Sequence, residues 1–225
     1  MDTSTSKTTI RHALVVHAHP EPRSFSTAQA TAAQRALQSQ GVQTKMLDLY
    51  AEGWDPVLAR EQFASVGDYF KPQSAQMVAV AGDVLEEPVR SHLALVHEAD
   101  LLILSFPLWW FSVPAILKGW MDRVLVMGSV FGGQHGIFER GAMRGKKAMA
   151  LLTTGGAEAA FVEGSPDGYG SLDSFLFHIH RGVFEFCGYE ALAPVVTFAP
   201  AHLDAGARTT ALEAAGRRVT AALHS

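Results

Sequence analysis

Three short segments carry residues whose types and spacing could do chemistry. The first is His17-Ala18-His19-Pro20-Glu21-Pro22-Arg23-Ser24-Phe25-Ser26, which places a guanidinium and two hydroxyls immediately before a helical pattern. Such groups, with the free N–H groups of a helix start, suit a phosphate or pyrophosphate. The other reading is an ordinary serine cap beside a surface arginine. No glycine occurs in the segment, so it is not the G-x-G-x-x-G turn of a dinucleotide fold.

The second segment is Phe106-Pro107-Leu108-Trp109-Trp110-Phe111-Ser112. Its aromatics suit packing against another subunit, a wall for a planar ring such as an isoalloxazine, or a buried core turn. The third is Thr153-Thr154-Gly155-Gly156-Ala157. Paired glycines leave the backbone bare, so a ring or an oxyanion can approach its N–H groups. One crevice would account for all three segments.

The positions of these segments follow from the alternation of elements. Ala13–Val16, Val42–Leu49, Leu101–Ser105, Ala148–Thr153 and Leu192–Phe198 read as strands. Helical patterns run from about Ser26 to Gly41, from Ser112 through Pro114 to about Val126, over Ser171–Phe186 and over Ala205–Leu223. Ser26, Ser112 and Gly41 are the expected caps. Residues 50–99 read as irregular, with helical patches near Ala59–Phe63 and Glu87–Ala99. Five strands interleaved with helices predict an α/β, flavodoxin-like doubly wound parallel sheet with helices on both faces, in the order 2-1-3-4-5. Ligands in such a sheet bind beyond the carboxyl ends of the strands, which is where the three segments fall.

Bulk properties narrow the classes. The chain has 225 residues, 48% hydrophobic and 18% charged, and is expected to form a single domain over 1–225 with residues 1–10 as a flexible tail. A net charge of −4 without a basic block argues against nucleic acid as a partner. The longest uncharged run, Leu101–Leu117, is shorter than the ~20 residues of a membrane span and contains Pro107 and Pro114. No signal-peptide pattern opens the chain, and Cys187 is its one cysteine, so a cytoplasmic setting is expected. Cys187 itself reads as a packing residue. The pairs His17/His19 and His178/His180 lack a carboxylate or cysteine at ligand spacing, and no metal is expected.

The segments HALVVHAHPEPRSFS, LDLYAEGWDPVLAREQF, ADLLILSFPLWWFSVPAILKGWMDRV, RGKKAMALLTTGG and RGVFEFCGYEALAP resemble the NAD(P)H:quinone oxidoreductase, or DT-diaphorase, family of flavodoxin-like flavoproteins. They spread over about residues 12–220. The resemblance implies a homodimer with FAD, rather than FMN, at active sites built from both chains. It implies that His19, Arg23, Ser24, Phe25 and Ser26 line the diphosphate and ribityl part. Pro107, Leu108, Trp109, Trp110 and Phe111 would hold the ring, with Thr153, Thr154, Gly155 and Gly156 at its other edge and Arg208 near the adenine. Family members place a Tyr and a His after the glycine pair as a proton relay; the matching positions here are Phe161 and Asp167, so Tyr169 or Asp167 would have to substitute. Two family tyrosines of the acceptor pocket correspond to Gly132 and Gln134.

The implied activity is ping-pong transfer of a hydride from NADH or NADPH through the flavin to a quinone or similar electrophile, with positioning as the protein's share. The alternative is a flavin-binding, redox-sensing subunit of a partner such as an ion transporter.

Overall fold

The computed structural model of the protein describes residues 9–64, 66–164 and 166–224. Most of the expected N-terminal tail lies outside these residues. Ile10, placed at its end, is a correction: it is only 7% exposed and packs into the core.

The strands are β1 (His12–His17), β2 (Gln43–Asp48), β3 (Leu101–Pro107), β4 (Lys147–Thr154), β5 (Glu190–Ala191) and β6 (Val195–Phe198). All pair in parallel, in the order β2-β1-β3-β4, with β5 and β6 both along the outer edge of β4. The helices are α1 (Phe25–Ser39), α2 (Pro72–Ala81), α3 (Val89–Glu98), α4 (Ala115–Val124), α5 (Leu172–Ile179) and α6 (Ala205–Ala221). This is the doubly wound α/β arrangement expected, with the strand order reversing at β1 and β3.

Successive side chains of a strand point to opposite faces, and both faces here are apolar. Leu14, Val16, Leu102, Leu104, Ala150 and Leu152 enter one core, together with α3, α4 and α5. Ala13, Val15, Leu101, Ile103, Met149 and Leu151 enter the other, under α1 and α6. Every residue of β3 and of β4 is buried. Such strands read as largely apolar runs, as Leu101–Ser105 does.

Several local expectations are corrected. Ser24, not Ser26, caps α1, its hydroxyl accepting the Thr27 amide at 3.1 Å. Ser112 does not cap α4, which begins after Pro114 without a side-chain cap. The last strand is broken, with pairing resuming at Val195, because Pro194 has no N–H to give the ladder. The Ser171–Phe186 helix changes to π winding over His180–Glu185. Helix α2 lies in the stretch read as irregular: it buries Ala75, Gln76 and Ala79 and turns Met77 and Val78 outward, so its apolar pattern misleads. Among the described residues, no helix is long and apolar enough to cross a membrane.

Candidate active site

The carboxyl ends of β1, β3 and β4 bring the three segments together. Pro107 pairs in register with Thr153, and the Leu108 amide donates to the Thr153 carbonyl at 2.8 Å. Ser26 Oγ lies 2.6 Å from Thr153 Oγ1, tying the first turn of α1 to the end of β4. The contact buries Ser26 and engages its hydroxyl within the protein.

At the start of α1, the Ser24 hydroxyl is engaged as the cap. The amides of Phe25 and Ser26, at the first two helical positions, have no intrahelical acceptor and stand where the helix dipole favours an anion. Arg23 is 90% exposed and bonds Glu21 at 3.1 Å. The Arg23 amide and guanidinium hold the Glu21 carboxyl below the usual carboxylate range. An exposed pair of this kind is weak, so an incoming phosphate can take over the guanidinium. His19 Nδ1 accepts the Glu21 amide at 3.0 Å, which leaves Nε2 as its N–H donor, and its ring centroid is 5.8 Å from that of Trp109.

Beyond β3 the chain makes a two-residue hairpin turn. Trp109 and Ser112 exchange backbone hydrogen bonds of 3.0 and 2.9 Å, and Trp110 and Phe111 between them have φ of +51° and +56°. Positive φ at both central positions defines a type I′ turn, normally built from Asn and Gly; bulky aromatics there store strain of about 1 kcal/mol or more each. Trp110 is thereby held 98% exposed. Phe111 stacks on Phe175 at 4.4 Å, and Ser112 Oγ lies 3.1 Å from His178 Nε2. The buried-core-turn reading therefore fails for Trp110, while Pro107 is buried and Leu108 packs against the core.

Beyond β4, the two glycines differ. A Cβ on Gly155 would meet nothing within 4 Å, and the Gly155 amide has no hydrogen bond among the described residues. Gly156 instead faces Tyr169. Thr153 and Thr154 are buried, Thr154 Oγ1 donating to the Gly156 carbonyl at 2.7 Å. Phe161 packs among Tyr169, Phe175 and Phe198 with centroids 5.5 to 6.4 Å apart. It has no group that could carry a proton. Among the described residues, exposed Asp167 makes no hydrogen bond, and Tyr169, half-exposed beside Gly156, has its hydroxyl unengaged.

Arg208 lies exposed in the first turn of α6, its Nε donating to the Leu203 carbonyl at 3.1 Å. Since α1 and α6 each follow a parallel strand, both begin at the carboxyl end of the sheet. Gly132 and Gln134 lie in the loop after α4. Burial pushes the Cys187 thiol up to about 12, which makes it a packing residue. Sequence reasoning weighed His17 and His178 only as metal ligands and missed Thr27, Ser105 and Phe175, which meet them or the aromatic turn across the sheet. Two amides at a helix start beside an exposed arginine, an exposed aromatic turn and an open glycine amide fit a planar ring with an anionic tail.

Residues 11–223 match the protein family described as having a flavodoxin-like fold. NAD(P)H dehydrogenase (quinone) 1 of Cavia porcellus is 35% identical over 207 residues, covering 90% of this chain and 74% of that protein. Ribosyldihydronicotinamide dehydrogenase (quinone) of Homo sapiens is 37% identical over 202 residues, covering 83% and 81%. A crystal structure from Klebsiella pneumoniae, assigned as a quinone reductase, superposes with a TM-score of 0.87 at 33% identity, covering 94% of this chain and 85% of that one. Fold and relatives thus define a flavodoxin-like oxidoreductase. The chain belongs to the NAD(P)H dehydrogenase (quinone) family.

Proposed function

We propose that the protein is a flavin-dependent NAD(P)H:quinone oxidoreductase that binds FAD and works by a ping-pong cycle. The observation that carries this reading is the convergence of three loops at the strand-order reversal, with Leu108, just before the aromatic turn, bonded to Thr153, just before the bare Gly155. When bound, the flavin supplies hydride relay between nicotinamide and acceptor.

The residues divide the remaining work. The Phe25 and Ser26 amides and Arg23 receive the diphosphate, and Arg208 serves the adenine half. His19 offers Nε2–H toward the loop that holds the ring. Pro107 and Leu108 anchor that loop, and Trp109, Trp110 and Phe111 form its aromatic wall. Thr153 and Thr154 fix the opposite loop so that the Gly155 amide faces the crevice. That amide and the Tyr169 hydroxyl are the donors available to negative charge at the ring edge. Phe161 gives packing only, and Asp167 is left as a solvent-facing carboxylate. The exposed Trp110 supports a homodimer, since a second copy would remove this ring from water.

The test is a visible spectrum of the purified protein without oxygen, before and after NAD(P)H and then after a quinone. A flavin spectrum that bleaches with the nicotinamide and returns with the quinone is expected. A protein that takes up neither FAD nor FMN would overturn the proposal.

A further inference from the structure

His17 ends β1 and is fully buried, yet both of its ring nitrogens meet hydroxyls. Nδ1 lies 3.1 Å from Ser105 Oγ on β3, and Nε2 lies 3.0 Å from Thr27 Oγ1 in the first turn of α1. Thr27 Oγ1 is 2.9 Å from Ser24 Oγ and donates to the Glu21 carbonyl at 3.2 Å, while the Thr27 amide donates to Ser24 Oγ. One assignment satisfies all these contacts. Ser105 donates to Nδ1, Nε2–H and Ser24 Oγ–H donate to Thr27, and the Thr27 proton goes to Glu21. The imidazole is then neutral, and three separate pieces of the crevice meet on it.

A buried imidazole at this place is an expensive way to fill space, because its nitrogens must be satisfied and a leucine would need nothing. What the ring does that leucine could not is tie the ends of β1 and β3 to the first turn of α1. That turn carries the Phe25 and Ser26 amides, unpaired among the described residues. The hydroxyls of Ser24 and Thr27 are engaged with each other and with His17, so the turn's remaining donors to an anion are those two amides. Hydrogen bonds weaken steeply with angle and distance, so a small tilt of the turn would misdirect both amides together.

We propose that His17 is a positioning residue for the phosphate groups of the cofactor, acting through Thr27 to set the first turn of α1 against the strands that carry the ring. The inference rests on the flavin reading above and adds to it a residue that never touches the ligand.

The test titrates apoprotein with FAD, FMN and riboflavin, which share a ring, while riboflavin lacks phosphate. His17→Leu removes both nitrogens, and His17→Gln keeps a donor and an acceptor. With His17→Leu, FAD and FMN should bind about tenfold or more weakly and riboflavin within about twofold, because charge-assisted bonds to phosphate are the ones misdirected. His17→Gln should recover part of the loss. Thr27→Val, which deletes the link while keeping the histidine, should give the same pattern and serves if His17→Leu does not fold. Equal weakening for all three flavins would mean that His17 only supports the fold, and unchanged binding would mean that it positions nothing; either overturns the inference while the flavin reading stands. Wild-type protein that binds none of the three overturns both.

Discussion

Tyr169 lies edge-on against Gly156, with its Cε2 2.5 Å from where a Cβ on that glycine would stand. The second glycine of the pair is therefore needed by the protein itself, while the first faces open space. The two should separate on substitution. Gly156→Ala should move the tyrosine and lower the melting temperature by several degrees, an overpacking cost of about 1–3 kcal/mol. Gly155→Ala should leave melting of the apoprotein unchanged and weaken flavin binding about tenfold or more. Melting curves and flavin titrations of both variants would check this, and a reversed pattern would sink the assignment.

The strained turn at Trp110 makes a prediction with opposite signs. Glycine accepts φ of +51° freely, and the exposed indole contributes no packing within one chain. Trp110→Gly should stabilise a monomeric apoprotein by about 1 kcal/mol against denaturant while flavin is lost or reduced more slowly. Trp110→Ala should show the same loss of flavin without the gain in stability. Unchanged flavin content and reduction kinetics in both would remove this loop from the site.

The proton-carrying role can be assigned by three substitutions. Tyr169→Phe keeps the ring against Gly156 and removes its hydroxyl, so kcat should fall by about tenfold or more. Asp167→Asn should change it by less than about twofold, the carboxylate being exposed to solvent. Restoring a hydroxyl with Phe161→Tyr should not raise activity in the Tyr169→Phe background, because that position packs inside the aromatic cluster. Stopped-flow rates of each half-reaction would decide between these residues.

Burial lowers the His17 pKa from 6.5 to about 4. The unfolded chain therefore takes up a proton below pH 6.5 while the folded protein resists until about pH 4. Its contribution to stability is complete above pH 6.5 and falls as pH drops through that window, by about 3 kcal/mol at most. His92, His97 and His180 are also lowered by burial and add in the same direction. Denaturant unfolding of the apoprotein at pH 7 and pH 4.5 should show the decline, and His17→Gln should make it shallower. A slope identical to wild type would show that His17 does not titrate as its burial implies.

The amino-acid sequence alone determined the α/β class, the strand order and the place of the crevice. Leu101–Ser105 and Ala148–Thr153 are apolar runs, Gly41 ends a helix and Ser171 starts one, and each signal acts between near neighbours in the chain. Tertiary structure decided how the crevice is wired. Ser26 gives up the cap and bonds Thr153, 127 residues away, and His17 meets Ser105, 88 residues away, because parallel strands place their carboxyl ends side by side. Tyr169 on Gly156 and Ser112 on His178 likewise depend on where loops of separate strands fall in space. Periodicity and capping report on neighbours along the chain. Contacts across a sheet depend on register and loop path, which no local pattern in this chain encodes.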